Sequence, residues 1–298
     1  MKTFLIVLIA FAINPVLGQK SIDLANVYYR SSPLNSVSDS IGKKSLNTIG
    51  ADFKLPIVLN EDNVLIFCGD YQQSSIVSTV EKERTISFSS STLQIGLEHK
   101  WNAKSKMLFM SMTRLNSDFS SIDASHFQQG GLALGTTSRN ENFDWKYGLY
   151  YNAEFFGPMF VPLFGFKWKI NEHWRFKVVV PVNLEISYTT DKNLIAGLKF
   201  EGVNGSFRTN QNAMGVDSYI DKADNNLWAF TEFEMGKNVW FHLKAGYSIL
   251  RKYRMYSNDD TIDWKLGPVN FGNDRVDVSP AFDNGLSFEA RMIYRLPL

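Results

Sequence analysis

The residue pattern predicts an all-β fold, a closed antiparallel transmembrane β-barrel of about fourteen strands, and three observations carry it. Long stretches alternate strictly between apolar and polar side chains. Short polar turns alternate with longer polar segments between them. Beyond the first eighteen residues, no run approaches the roughly 20 apolar residues a membrane helix needs.

The first element is a secretory signal peptide over residues 1–18. Met1 and Lys2 give it a basic start, Thr3 to Ile13 are almost wholly apolar, and Val16-Leu17-Gly18 places the cut before Gln19. Residues 19–298 are then one exported domain. With no helical span available, that domain is either soluble or a closed barrel, since only a closed barrel satisfies every strand edge in lipid.

Alternation is clearest at Phe143, Trp145, Tyr147, Leu149, Tyr151, Ala153 and Phe155, with Asp144, Lys146, Asn152 and Glu154 on the other phase. Alternate strand residues point to opposite faces, so one face is apolar and the other charged. The stretch 174–188 repeats this with Trp174, Phe176, Val178, Val180, Val182, Leu184, Ile186 and Tyr188. So does the last one, with Leu286, Phe288, Ala290, Met292, Tyr294, Leu296 and Leu298, where Ile293 is the exception on the polar phase. Ile49 to Ile57, Leu93 to Trp101, Phe160 to Ile170 and Val239 to Ile249 behave alike. These runs match the roughly 9 to 11 residues of a tilted membrane strand better than the 5 to 6 or so of soluble domains.

Turns are expected at Asn60–Asn63, Asn102–Lys106, Ser138–Asn142, Asn171–His173, Val203–Ser206 and Gly236–Asn238, where Asn204-Gly205 is a strong hairpin signal. Longer polar segments fall near 32–44, 73–91, 117–125, 208–225 and 257–281. Short periplasmic turns and long extracellular loops are the habit of outer-membrane barrels. Alternating through them gives fourteen strands and returns the C-terminus to the periplasmic side. Twelve is the alternative count, because the strands near 22–30 and 206–212 are weakest. Trp101, Trp145, Trp168 and Trp174 lie on the apolar phase near periplasmic turns, as an interfacial girdle requires. Trp228 and Trp240 fall on the inward phase, and Trp264 in a loop. Pro181 inside a long strand calls for a bulge or a strand portion above the membrane.

These residues carry a resemblance to an uncharacterised family of Gram-negative outer-membrane β-barrel proteins, a domain of unknown function. The matching motifs are Gly148-Leu149-Tyr150-Tyr151, Phe156-Gly157, Pro162-Leu163-Phe164-Gly165-Phe166 and Trp168 through Trp174. Val180-Pro181, Glu185-Ile186-Ser187-Tyr188 and Gly285 through Arg291 continue it. The resemblance implies a barrel and no catalytic residues. Leu298 departs from the terminal Phe of many barrels.

Composition narrows function. With 31 basic and 30 acidic residues there is no electrostatic case for nucleic acid. Cys68 is the only cysteine, which excludes an intrachain disulfide; it lies too far from the cleavage site for a lipid anchor and reads as a small buried filler. The inward phase holds Asp52, Lys54, Glu98, Lys100, Asp144, Lys146, Glu154, Arg175, Lys177, Glu185, Lys244, Glu289, Arg291 and Arg295. Mixed signs serve either a polar pore or an ion-pair network that fills the barrel, and the sequence leaves both open.

The second function class is an outer-membrane lipid hydrolase or deacylase. Of the four histidines, His99 and His173 sit at the wrong end and His242 low in the lumen. Only His126 joins Ser120, Ser121, Ser125, Asp118 and Asp123 near the outer rim. Asp259, Asp260, Asp263, Asp274 and Asp277 lack the spacing of a calcium loop. No phosphate-cradling glycine motif and no Cys/His metal pattern occurs, so no cofactor is expected. The expectation is therefore an outer-membrane passive channel or structural barrel, with a soluble periplasmic β protein as a third class. Its partners would be outer-membrane lipids, lipopolysaccharide and the barrel-assembly machinery, with passage of small solutes.

Overall fold

The computed structural model describes residues 21–34, 44–78, 85–190, 194–209, 217–276 and 284–297. The signal peptide lies outside the described residues. The strands are β1 (Ser21–Leu34), β2 (Lys44–Val58), β3 (Asn63–Ser78), β4 (Thr85–Asn102), β5 (Ser105–Ser117), β6 (Phe127–Asn140), β7 (Phe143–Glu154) and β8 (Gly157–Lys169). They continue as β9 (Trp174–Val180), β10 (Asn183–Thr189), β11 (Ile195–Thr209), β12 (Ser218–Gly236), β13 (Val239–Ser257), β14 (Trp264–Leu266), β15 (Val269–Phe271) and β16 (Gly285–Pro297). The short β14–β15 hairpin hangs from β8. The other fourteen strands close into an antiparallel ring, because β8 pairs with β9 and β1 pairs with β16. Among the described residues no helix is long and apolar enough to cross a membrane.

Every phase assignment tested by this ring holds. Leu93, Ile95, Tyr147, Leu149, Phe164, Leu198, Leu286, Phe288 and Met292 point outward and are exposed, Leu93 at 65% and Leu198 at 62%. A continuous outward belt this apolar is the face that a membrane barrel turns to lipid. Trp101, Trp145, Trp168 and Trp174 stand on it at one end, the end at which β1 begins and β16 finishes. There Trp145 stacks on Phe164 at 5.6 Å, and Trp174 meets Tyr188 edge-on at 5.1 Å. We call this the terminal end and the opposite one the loop end. Trp228 and Trp240 face inward as expected, and Trp264 on β14 stacks on Phe271 at 4.0 Å.

Two expected boundaries are wrong, and they offset each other in the strand count. The stretch 174–188 is not one strand: β9 and β10 form a hairpin about Pro181, with Val179 paired to Asn183 and the Val182 N–H donating to Val179 O at 2.9 Å. Pro181 sits at the turn, where no ladder donor is required of it. Conversely, Val203–Ser206 is no turn. Asn204 and Gly205 lie within β11, paired to Ala223 and Lys222, and the chain turns earlier, where the Thr190 N–H donates to Leu194 O at 2.8 Å. Burial of Ser206 and Phe207 outweighs the local turn propensity of Asn-Gly. The strand expected near 206–212 is the end of β11 as far as Thr209, and residues 210–212 lie outside the described residues. The strands also run further into the polar segments than expected. Inward hydroxyl pairs such as Thr48–Ser74 at 3.0 Å and Ser32–Ser287 at 2.6 Å let the ladder continue without apolar residues.

The wall is uneven at the loop end. β9 and β10 stop opposite Phe164 and Glu201, leaving the upper parts of β8 and β11 without them. β14 takes their place beside β8 in parallel pairing, Lys265 to Met159 and Leu266 to Phe160. The upper part of β11 instead leaves the wall and leans into the barrel, with β12 and the upper part of β13, which stays paired to β12 as far as Ser257 after its pairing with β16 ends at Ser248.

Candidate functional site

The lumen is the space the ring encloses, so its contents decide what the barrel can do. At the loop end, the β11–β12 hairpin crosses it. Arg208 forms a parallel bridge with Ser117 of β5, and the Asp118 N–H donates to Arg208 O at 3.1 Å. β5 and β11 stand six places apart in a ring of fourteen, so the hairpin spans nearly the full diameter.

Because successive strand residues point to opposite faces, this ribbon buries both of its faces. Phe207 and its partner Ile220 pack on Leu46, Phe88 and Tyr253, with the Phe88 and Phe207 rings edge-on at 4.8 Å. On the other face Tyr219 packs among Phe156, Met159, Tyr256 and Ile262. Polar atoms fix the crossing. The Ser206 N–H and hydroxyl both donate to Glu154 of β7, at 2.8 and 2.7 Å, while Ser206 Oγ accepts from the Phe155 N–H at 2.8 Å. Asn116 donates to Ser206 O at 2.9 Å, and Arg114 lies 3.5 Å from the same carboxylate.

Below the hairpin, alternating charges run along the inner wall. Arg30 of β1 pairs with Glu289 of β16, and Lys244 of β13 lies 3.0 Å from Glu289 and 3.1 Å from Glu201 of β11. Lys199 pairs with Glu201 at 2.8 Å, and Lys177 of β9 pairs with Glu185 of β10 at 2.8 Å. Trp228 is 2% exposed, with Arg30 and Lys244 at 5.2 and 5.3 Å from its ring. A buried charge is tolerated when paired and hydrogen-bonded, and this network meets that condition.

All fourteen inward charges expected from the sequence line the lumen, but in different company. Asp52 accepts from Asn26, Glu98 pairs with Lys106 at 3.0 Å, and Asp144 accepts from Ser138. Arg291 pairs with Glu289 at 3.0 Å, and Arg295 with Glu232 at 3.1 Å and with Asp23. Lys54 and Lys100 are exposed, so the terminal half of the lumen is wet. Cys68, expected buried, is half-buried, because it faces this wet half as the partner of Lys54. Sequence reasoning missed Arg30, Arg114, Lys199, Glu201, Lys167 and Lys169. Arg30 ends the weakest predicted strand and Glu201 abuts the misplaced turn; strict alternation on β8 from Met159 would have found the two lysines.

The loop-end Ser/His set does not assemble a nucleophile and base. His126 is buried in a short 3₁₀ turn, Ala124–His126, its Nδ1 3.1 Å from Asp123 Oδ1. The Ser120 hydroxyl donates to Asp118 at 2.8 Å, and the Ser125 N–H to Asp123 at 2.7 Å. Hydrogen bonds from Ser125, side chain and backbone, and from His126 hold the Asp123 carboxyl down at about 2. The group is a helix cap. Among the described residues no His, Cys, Asp or Glu set groups as a metal site. Asp260 caps the Val276 N–H at 3.0 Å, and Asp277 lies outside the described residues.

A family model described as Domain of unknown function (DUF6268) matches residues 35–262. Among solved structures the chain is similar to the translocator domain of autotransporter NalP from Neisseria meningitidis, at 12% identity and TM-score 0.37, covering 93% of this chain and 90% of that one. It is similar to a deletion mutant of the TodX monoaromatic hydrocarbon channel at 8% identity and TM-score 0.49, with the same coverage. The beta domain of the Bordetella autotransporter BrkA follows at 8% and 0.33, covering 92% and 100%. The fold rests on the strand ladder itself and takes nothing from these scores. No match is found among curated proteins.

Proposed function

The chain belongs to the family described as Domain of unknown function (DUF6268), and from that premise we propose an outer-membrane barrel that its own β11–β12 hairpin holds closed. Free diffusion through the resting barrel is blocked at the loop end, and solute passes only when the hairpin withdraws. The observation that supports this reading is the diametric crossing: Phe207 and Tyr219, on opposite faces of one ribbon, are both buried against the far walls. An open pore would leave those faces wet.

In this reading the apolar belt lies in outer-membrane lipid, with the terminal end toward the periplasm and the loop end among lipopolysaccharide. The assembly machinery would receive the chain through β16. We assign no catalysis, because His126 is engaged with Asp123 in the cap and the Ser120 hydroxyl donates to Asp118.

Planar-bilayer conductance of the purified protein is the test. Wild type should give little steady current, and a variant with residues 204–224 replaced by a short glycine-containing turn should open a stable channel. Equal, large conductance from both would overturn the closed state. Recovery of untagged protein from the periplasm without detergent would overturn the location.

A further inference from the structure

The terminal half of the lumen is lined unevenly, and the unevenness follows from register. On the inner phase of β4 through β9 stand Lys100, Lys106, Lys146, Lys167, Lys169, Arg175 and Lys177. Three of their direct cross-strand pairings set cation against cation: Lys100 with Lys106, Lys167 with Lys177, and Lys169 with Arg175. Like charges directly opposite each other destabilise a sheet. Among the described residues, the ion pairs within the arc are Glu98 with Lys106 and Glu185 with Lys177. Among the described residues, Lys100, Lys146, Lys167, Lys169 and Arg175 have no ion-pair partner. Asp144 is directly paired to Lys167 in the ladder, but its carboxylate accepts from Ser138.

The far wall is different. There Arg295 is shared by Asp23 and Glu232, Arg291 is held by Glu289, and Lys244 by two glutamates. Balanced charge on one wall and an excess of cations over Glu98, Asp144 and Glu185 on the other give a vestibule with a directional field. A low-dielectric cleft lined by one sign of charge concentrates counter-ions. Several Lys and Arg donors at one site suit phosphate or carboxylate oxygens.

We propose that this arc binds a soluble polyanion, one bearing two or more adjacent phosphate or carboxylate groups, that enters from the terminal end. The inference is independent of the closed state at the loop end, since the arc lies on the opposite side of the hairpin. A single monovalent anion could bridge one of the opposed pairs at most and would leave it with a net positive charge. A polyanion bridges Lys167, Lys169 and Arg175 at once and removes both repulsive pairings of β8 with β9.

The test uses full-length protein in a zwitterionic detergent, with inorganic pyrophosphate and tripolyphosphate as probes and sodium chloride at matched ionic strength as the control. Thermal unfolding and titration calorimetry are the readouts. Pyrophosphate should raise the unfolding midpoint of wild type well beyond the chloride control and bind measurably, with affinity falling as salt rises. The double variant Lys167→Gln, Lys169→Gln should bind at least tenfold more weakly. It should also start from a midpoint equal to or above wild type, because repulsion has been removed. Lys104→Gln, in the β4–β5 turn, should behave as wild type. Chloride matching pyrophosphate would mean a diffuse counter-ion atmosphere only and would overturn the site. So would a double variant that binds as wild type or has a lower midpoint without ligand. Vesicles bearing anionic lipid distinguish a headgroup source: their competing with pyrophosphate would place the ligand in a membrane and overturn the soluble class.

Discussion

The Glu154 carboxylate on β7 accepts hydrogen bonds from both the backbone N–H and the hydroxyl of Ser206 on β11, although 52 residues separate them. This acceptor joins the Asn116, Phe155 and Asp118 donors in tying the inward hairpin to the wall. Glu154→Ala removes the acceptor of two Ser206 donors and of one donor each from Asn152, Gln128 and Arg114. Each buried group left unsatisfied costs about 1–3 kcal/mol. The expected outcome is an intact barrel with a loosened hairpin, seen as protease cleavage within 203–225 and intermittent channel openings. A variant as protease-resistant as wild type would show that the apolar faces alone hold the crossing.

Phe207 and Tyr219 belong to separate clusters on opposite faces of the ribbon. Truncating either to Ala should cost about 3–5 kcal/mol, and the double variant should be additive within about 0.5 kcal/mol. Denaturant unfolding in detergent measures all three. A coupling well above that would mean that the two faces share one core.

Lys244 has a side chain only 1% exposed between Glu201 and Glu289, whereas Lys106 is 37% exposed beside Glu98. Lys244→Met leaves two buried carboxylates short of a partner and should cost about 3–5 kcal/mol. Lys106→Met should cost no more than about 1 kcal/mol. Similar losses would place Lys244 in water.

Trp228 lies over Gly246, its direct cross-strand partner, and a Cβ on that glycine would sit 2.5 Å from the indole and closer still to the Leu227 carbonyl oxygen. Gly246→Val should displace the ring from Arg30 and Lys244 and cost about 1–3 kcal/mol by overpacking. Gly236→Ala, where a Cβ meets nothing within 4 Å, should be nearly neutral. The comparison is made by unfolding titration, and an equal loss at both positions would rule out the ring-over-glycine contact.

How much of this was legible depends on parity. Side-chain phase is a period-two property, so the outward belt, the four girdle tryptophans and the inward Ile293 could all be read from the chain. A hairpin centred on one residue preserves that phase. Val180 and Val182 flank Pro181 on the same side of the sheet, and so β9 and β10 read as one strand. The Asn204-Gly205 signal misled for the opposite reason, since a good local turn pair was held straight by the burial of Ser206 and Phe207. The hairpin crossing was illegible, because lumen-facing and plug-facing residues have the same composition. The lysine arc was visible as residues, but its like-charge pairings exist only once the β8–β9 register is known.

The Arg30–Glu289 pair lies across the junction of β1 and β16 and joins positions 259 apart in the chain. Contacts of such long range form late, after the entropy of closing the intervening loop has been met. Glu289 is also the carboxylate on which Lys244 and Arg291 converge. The charged interior therefore stays incomplete until the last thirteen-residue strand has been synthesised and docked. A chain cut between β13 and β16 carries Arg30 and Lys244 without their shared acceptor and leaves two strand edges bare. Electrostatics and ring closure thus act as a single checkpoint on full-length translation.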